Sequence, residues 1–567
     1  MQKLYTKEGR SLPAVPWDVY PRPQLVRRDW LCLNGDWQLG DGTIRVPFCA
    51  ESLLSGVPEP PAPGTPLCCS RRFTVPEDWA GKHVLLHFGA VSREAEVFLN
   101  GKLLCRHENA YLPFSADVTA FLREGENLLE LRIVNDLNPA FPYGKQTKKR
   151  GGMWYTPCSG IWQTVWLEPV PERYIRSVRL DTGRDWAEVR VEGMSEGILS
   201  MDGQEWPVRD GSVCVEPAEV HAWSPEDPYL YHFRLRMGED EVESYFALRT
   251  LGVEERGGIP RLCLNGEPYF FHAVLDQGYW SDGLWTPADP GAFERDILAM
   301  KSLGFNTLRK HIKVEPERFY YDCDRLGMIV FQDMVNNGVY RYVHDTVLPT
   351  LHMKYRRDRR LNPDPETRKN FLEAMIGTVE LLRNHPCICL WTVFNEGWGQ
   401  FCADDAYRRL RQLDSSRLID TTSGWYRQKE SDVESIHNYF EKLRLGRQHR
   451  PQFLSEFGGY VLKIPEHSFN LQKTYGYRTY QEKEDYTAAL RAAWEELVTL
   501  AEAGLCGAVY TQLSDVEDET NGFLTYDRAV LKADPAPLAA FAERLQDAVR
   551  GGKRTEESGK VRTDSAK

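Results

Sequence analysis

The absences in this sequence narrow its function before any motif is considered. No uninterrupted apolar run reaches the roughly 18 residues that a membrane-crossing helix needs, so no membrane span is expected. The opening stretch MQKLYTKEGRSLPAVPWDVYPRPQ has no apolar core of the kind a secretory signal carries. Positive charge is in deficit. The 70 Lys and Arg against 82 Asp and Glu leave a formal charge of −12, and no basic stripe offsets it, which argues against a nucleic-acid partner. There is no P-loop, no GxSxG and no HExxH. The 13 cysteines are an odd number without regular spacing, and the close pairs Cys68/Cys69 and Cys387/Cys389 lack the spacing of a zinc site. Free thiols, mostly packed in cores in a reducing cytoplasm, are therefore expected, with neither a metal nor a cofactor.

What is present is the composition of folded protein: 42% hydrophobic and 27% charged residues. A chain of 567 residues is too long for one core, and about three domains are expected. Residues 1–170 read as β structure. HVLLHFGAV (83–91), EAEVFLNGKLL (94–104) and NLLELRIVND (127–136) alternate, and Asn100-Gly101 marks a tight turn between strands. A second β-rich block, 171–250, has the length of one small sandwich. From 251 to 550 the rhythm becomes strand, helix, strand. Asp289 and Pro290 predict a helix start, with Phe293, Ile297, Leu298 and Met300 on one face and Gly304 as the stop. Pro316 opens a second helix that ends near Gly327. Eight strand candidates follow one another: 269–275, 305–308, 328–334, 387–394, 417–422, 434–439, 453–457 and 506–512. This alternation fits a (β/α)8 barrel, whose chemistry sits at the C-terminal ends of the strands. The tail 551–567 has no apolar periodicity and is expected to be disordered.

Two glutamates stand where the fourth and seventh candidates end: Glu396 after CICLWTVFN and Glu456 after QFLS. Hydrolysis of a glycosidic bond with retention needs such a pair, one carboxyl as acid/base and one as nucleophile, about 5 to 5.5 Å apart. FNEGWGQF (394–401) and LSEFGGY (454–460) resemble the acid/base and nucleophile motifs of glycoside hydrolase family 2, which includes β-galactosidases, β-glucuronidases and β-mannosidases. RPQLVRRDWLCLNGDW (22–37), EVFLNGK (96–102) and WYTPCSGIWQTVWLEPV (154–170) resemble that family's sugar-binding jelly roll, and WSPEDPYLY (223–231) its immunoglobulin-like middle domain. The resemblance implies a jelly roll, an immunoglobulin-like β-sandwich and a C-terminal (β/α)8 TIM barrel.

It also implies roles. Glu396 protonates the leaving oxygen and Glu456 attacks the anomeric carbon. The ionised nucleophile keeps its neighbour protonated, and esterification removes that charge, so Glu396 then serves as base toward water. Asn395 hydrogen-bonds the sugar 2-OH, and Arg309 holds the nucleophile ionised. His437 and Tyr439 lie where the sixth strand ends and are candidates to contact the nucleophile, with core packing as the alternative. Asp276, Gln277 and Tyr279 follow the first strand, where hydroxyl-binding groups or a simple turn are equally expected. Trp398 and Trp425 are candidates to stack on a sugar face. Trp154, Trp162 and Trp166 read as domain packing.

Three departures bear on the substrate. Many members have Arg-x-x-His after the second strand, whereas here the order is Arg309-Lys310-His311, and His311 is kept as a candidate sugar contact. The usual eighth-strand tryptophan is replaced within VYTQLSD, where Gln512 stands as a further candidate. Family β-glucuronidases carry an Asn-x-Lys motif in the following loop. The comparable positions are Glu519 through Asn521, preceded by Glu517 and Asp518, so a uronate would meet acid, although Lys310 and Lys313 are candidates to face the mouth. The expectation is a retaining exo-β-glycosidase acting on a neutral carbohydrate, with β-galactoside as the first guess. A β-uronidase and a noncatalytic carbohydrate-binding protein are the competing readings, and a homo-oligomer stays open.

Overall fold

The computed structural model describes residues 1–348, 358–443, 445–446 and 449–551. Of the tail 551–567, all but Gly551 lies outside these residues. The alternating runs of the first segment pair into two antiparallel sheets. One has four strands, in the order Leu31–Cys32, Val165–Val170, His83–Phe88, Phe114–Asp117. The other has six: Gly42–Val46, Gly35–Leu39, Leu67–Thr74, Glu126–Val134, Glu94–Leu99, Lys102–Glu108. Their inner faces meet in a core that includes Trp37, Phe73, Val97 and Leu131. Asn100 and Gly101 form the expected two-residue turn with φ of 54° and 80°. A smaller sandwich follows, with Ser177–Thr182, Ala187–Glu192 and Ser212–Val215 on one sheet and Gln204–Val208, Gly197–Met201, Tyr231–Met237 and Asp240–Phe246 on the other.

The barrel comprises eight parallel strands: β1 (Phe271–Asp276), β2 (Thr307–Lys310), β3 (Ile329–Asp333), β4 (Ile388–Asn395), β5 (Leu418–Ser423), β6 (Glu434–Asn438), β7 (Gln452–Gly458) and β8 (Leu505–Thr511). Each overlaps one of the eight segments read from the sequence. They hydrogen-bond in the order β5-β4-β3-β2-β1-β8-β7-β6. An antiparallel hairpin over Leu251–Leu264 closes the lower end, where Arg261 donates to the carbonyls of Ala501 and Leu505.

Among the described residues, six α-helices surround the strands: α1 (Gly291–Ser302), α2 (Glu317–Leu326), α3 (Pro365–Leu382), α4 (Ala403–Leu413), α5 (Lys483–Ala503) and α6 (Pro535–Arg550). Among the described residues no helix follows β5 or β6, so the strict eightfold alternation is incomplete on that side. The same side carries the seam of the barrel, which side chains join. The Ser435 hydroxyl donates to Asp420, and Ser423 Oγ lies 3.1 Å from His437 Nε2. In α1, Asp289 Oδ1 accepts the Gly291 N–H at 2.9 Å and the chain stops at Gly304, φ 88°. Leu298 is 47% exposed, because its position in the turn points away from the buried stripe of Phe293, Ile297 and Met300. No helix among the described residues is long and apolar enough to cross a membrane.

Candidate active site

β4 and β7 bring the two glutamates together at the C-terminal end of the barrel. Glu456 lies within β7, whereas Glu396 follows the last residue of β4 in the left-handed region, φ 52°. Gly397 continues that turn at φ 72°, and a Cβ there would lie 2.1 Å from the Tyr426 ring, so the bend requires glycine. Oxygens of Glu396 and Glu456 and a ring nitrogen of His437 all lie within 4.8 Å of one another, a trio with the spacing a cation could also use. His437 Nδ1 is 2.9 Å from Glu396 Oε1 and 3.6 Å from Glu456 Oε2. The Glu396 side chain remains 22% exposed, open to the mouth.

Glu456 is held from both sides. Arg309 Nη1 donates to Oε1 at 3.1 Å, and the Tyr439 hydroxyl donates to Oε2 at 2.5 Å. Burial pushes the Glu456 carboxyl up, but His437, Arg309, His311 and the Tyr439 hydroxyl outweigh it and bring it down to about 2. The Tyr439 phenol is displaced the other way, well above its ordinary value, by burial and by the Glu456 charge, so it stays a donor. The Tyr477 ring stacks on Tyr439 at 3.8 Å.

Arg309 is 1% exposed and serves three partners besides Glu456. It grips both oxygens of Asp333 at 3.0 and 3.1 Å, donates to the Ser455 carbonyl, and donates to Asn395 Oδ1 at 2.8 Å. That last bond fixes the Asn395 amide, whose NH₂ has no hydrogen-bond partner among the described residues. Asp333, the final residue of β3, also sits 2.8 Å from His311 Nδ1. Burial raises the Asp333 carboxyl and the Arg309 charge more than reverses it.

Strand alternation explains the unusual Arg309-Lys310-His311 order. Arg309 and His311 share the inner face, while Lys310 points to the helix layer, 4.2 Å from the Phe319 ring centroid. There Lys310 binds Asp276 at 2.6 Å and Glu315 at 2.9 Å. Lys313 likewise donates inward, to the carbonyls of Gly278 and Trp285 and to Glu315. Neither lysine, then, is free to face the mouth. Asp276 is correspondingly committed to Lys310 and the Gly278 N–H. Gln512 is fully buried and donates to Glu519 and Asn521, so it supports the loop after β8. Trp398 is buried against Tyr143 and Trp154, with its indole N–H on the Gly338 carbonyl. Trp425 is half-buried at the mouth, 5.4 Å from the His437 ring.

Several groups at the mouth escape sequence reasoning. Asp333 was findable, since it ends a strand at the functional face. Tyr477 and Lys145 come from irregular segments without periodicity. Lys145 belongs to a finger, residues 137–159, that the first β unit extends onto the barrel. Tyr143 donates to the Gly338 carbonyl, the Thr156 N–H to Glu517 and the Tyr155 hydroxyl to Glu519. Trp154 thus walls the mouth, whereas Trp162 and Trp166 are interior.

A barrel with paired glutamates ending β4 and β7, preceded by a jelly roll and a sandwich, is the architecture of multidomain glycoside hydrolases. Residues 65–199 match the description "Glycosyl hydrolase 2 galactose-binding domain-like" and residues 261–530 "Glycosyl hydrolases family 2, TIM barrel domain". The chain belongs to glycosyl hydrolase family 2. It is 27% identical over 480 residues to a β-galactosidase of Aeromonas hydrophila, covering 73% of this chain and 44% of that protein. The chain spans about half or less of the length of the curated β-galactosidases it matches. Among solved structures, a β-D-glucuronidase of Dictyoglomus thermophilum superposes with a TM-score of 0.71 at 18% identity, covering 93% of this chain and 98% of that one. A β-galacturonidase from Eisenbergiella tayi superposes with a TM-score of 0.67 at 18% identity, covering 93% and 99%.

Proposed function

We propose that the protein is a retaining, exo-acting β-glycosidase that removes terminal β-linked sugars by double displacement, with a β-galactoside-type neutral hexoside as substrate. The observation that carries this reading is that one oxygen of Glu396 and one of Glu456 lie within 4.8 Å of each other. That is near the roughly 5 to 5.5 Å of retaining pairs and short of the roughly 6.5 to 9.5 Å that leaves room for an inverting water. Glu396 donates its proton to the glycosidic oxygen as Glu456 attacks the anomeric carbon. Arg309 and Tyr439 keep Glu456 ionised and aimed, and the free NH₂ of Asn395 takes the 2-OH. In the second half-reaction Glu396 removes a proton from water, which displaces Glu456 from the glycosyl ester. His437 sits between the two carboxyls and keeps their relative position.

A β-uronidase is the competing reading, favoured by the uronidase structures that share the fold. Against it stand the inward commitment of Lys310 and Lys313 and the acidic Glu519 at the loop position where family glucuronidases begin Asn-x-Lys. The test is hydrolysis of matched aryl β-galactoside, glucoside, mannoside, glucuronide and galacturonide, with NMR of the first-formed sugar. Release of the β-anomer from a neutral glycoside is expected. An inverted product, or no turnover of any member of the series, defeats the proposal.

A further inference from the structure

The finger from the jelly roll delivers a cation to the mouth. Gly144 packs so closely against the end of the second strand that a Cβ would lie 2.7 Å from the Tyr111 hydroxyl and 3.1 Å from the Ile312 carbonyl. The next residue, Lys145, is pinned through its carbonyl, which accepts the Tyr155 N–H at 3.0 Å. Its ammonium lies 5.6 Å from the centroid of the Trp154 ring and, among the described residues, has no ion pair and no hydrogen bond. An ammonium placed beside an aromatic wall without a protein acceptor has its three donors left for a ligand.

Across the domain boundary stands Glu519. Its Oε2 accepts from the Tyr155 hydroxyl and from Gln512 Nε2, which locks the side chain, while Oε1 has no hydrogen-bond partner among the described residues. Burial, the larger effect, pushes the Glu519 carboxyl up, and Tyr155, Lys145 and Gln512 oppose that only in part. Lys145 also acts on His311, and Glu456 acts on Glu519, so all four groups share one electrostatic neighbourhood.

We propose that Lys145 and Glu519 form a charge-balanced pair, one residue from each domain, that grips sugar hydroxyls not engaged by Asn395, the glutamate cancelling the pull the lysine would exert on a uronate. The proposal rests on the glycosidase reading of the same site. The ammonium supplies donors and the carboxylate an acceptor, which matches a hydroxyl that does both. Alone, the lysine would draw a substrate carboxylate and the glutamate would repel it. At roughly 6 Å and an effective dielectric near 20, one unit charge is worth on the order of a hundredfold in affinity. The uronide-to-neutral ratio thus depends on the balance of the two charges.

The experiment compares wild type, Lys145→Met, Glu519→Gln and the double variant. It reads kcat/KM for 4-nitrophenyl β-galactoside and β-galacturonide, calorimetric binding of galactose and galacturonate, and Tm. Glu519→Gln should raise the uronide-to-neutral ratio at least about tenfold, because the lysine then acts unopposed. Lys145→Met should lower it by a similar factor, and the double variant should return to within about threefold of wild type. The monosaccharide affinities should move in the same directions. A ratio that stays within about threefold in both single variants overturns the pair, as does an equal loss on both sugars accompanied by a lowered Tm, which is the signature of a structural role. If the wild type turns over neither substrate nor any other member of the aryl glycoside series, the glycosidase reading fails separately. The binding ratios then decide the pair, and absence of binding by either sugar also overturns it.

Discussion

Removing a single oxygen from Tyr439 should move the acid limb of activity into a measurable range. In Tyr439→Phe the ring keeps its stack on Tyr477, but Glu456 Oε2 loses the donor 2.5 Å away. A hydrogen bond to a charged group is worth about 1.5 to 3 kcal/mol, and about 1.4 kcal/mol corresponds to one pKa unit, so the carboxyl should rise by roughly one to two units. It starts at about 2, held there because His437 and Arg309 outweigh burial, and should reach roughly 3 to 4. The sign follows from the proposed role: a carboxylate nucleophile works ionised, so activity is present above the pKa and lost as pH falls through it. At pH 4 roughly 1% of wild-type Glu456 is protonated, against about a tenth to a half in the variant. The assay is kcat/KM on an aryl β-glycoside from pH 3.5 to 8, with recovery at pH 7 after each incubation to exclude acid unfolding. An acid limb in Tyr439→Phe that coincides with wild type, or that moves downward, would refute the assignment of the phenol as the group that keeps Glu456 charged.

Other expectations are equally direct. Glu456→Ala should nearly abolish turnover while retaining the fold, and azide should restore activity with a glycosyl azide of inverted anomeric configuration as product; near-wild-type activity would remove Glu456 from the mechanism. Glu396→Ala should slow the first step far more for poor leaving groups than for activated aryl ones, and an equal loss across leaving groups in pre-steady-state rates would count against an acid role. Asp333→Ala strips Arg309 of a two-pronged buried partner and should cost about 3 to 5 kcal/mol in urea unfolding, so an unchanged midpoint would show the grip to be dispensable.

The barrel was legible because its strands are buried on both faces and therefore read as short apolar runs, as in CICLWTVF, bounded by turn residues. The two glutamates were legible because each ends such a run. Among the described residues no helix follows β5 or β6, where the links 424–433 and 439–451 leave little length for a helix with its two turns, and strand-like runs alone carry no signal of that. Lys310 was ambiguous for a physical reason. Alternation assigns it to the face opposite Arg309, but only the three-dimensional position of Asp276 and Glu315 shows that this face holds carboxylates to receive it. Lys145 was invisible altogether, since nothing local to KQTKKR marks it as the wall of a site made by the far end of the chain.

That distance along the chain has a consequence for biosynthesis. Tyr155 precedes its anchor Glu519 by 364 residues. At roughly 5 to 20 residues per second, the finger leaves the ribosome roughly 20 to 70 s before the loop it will press against has been made. Through that interval Trp154 and Tyr155 have no barrel to cover them. The chain enters the finger from the strand Glu126–Val134 and leaves it toward Val165–Val170, both paired within N-terminal sheets, so its two ends can be anchored before the barrel is made. The two ends of one wall of the mouth are thus anchored first, and the later-emerging barrel supplies the surface that the wall closes against.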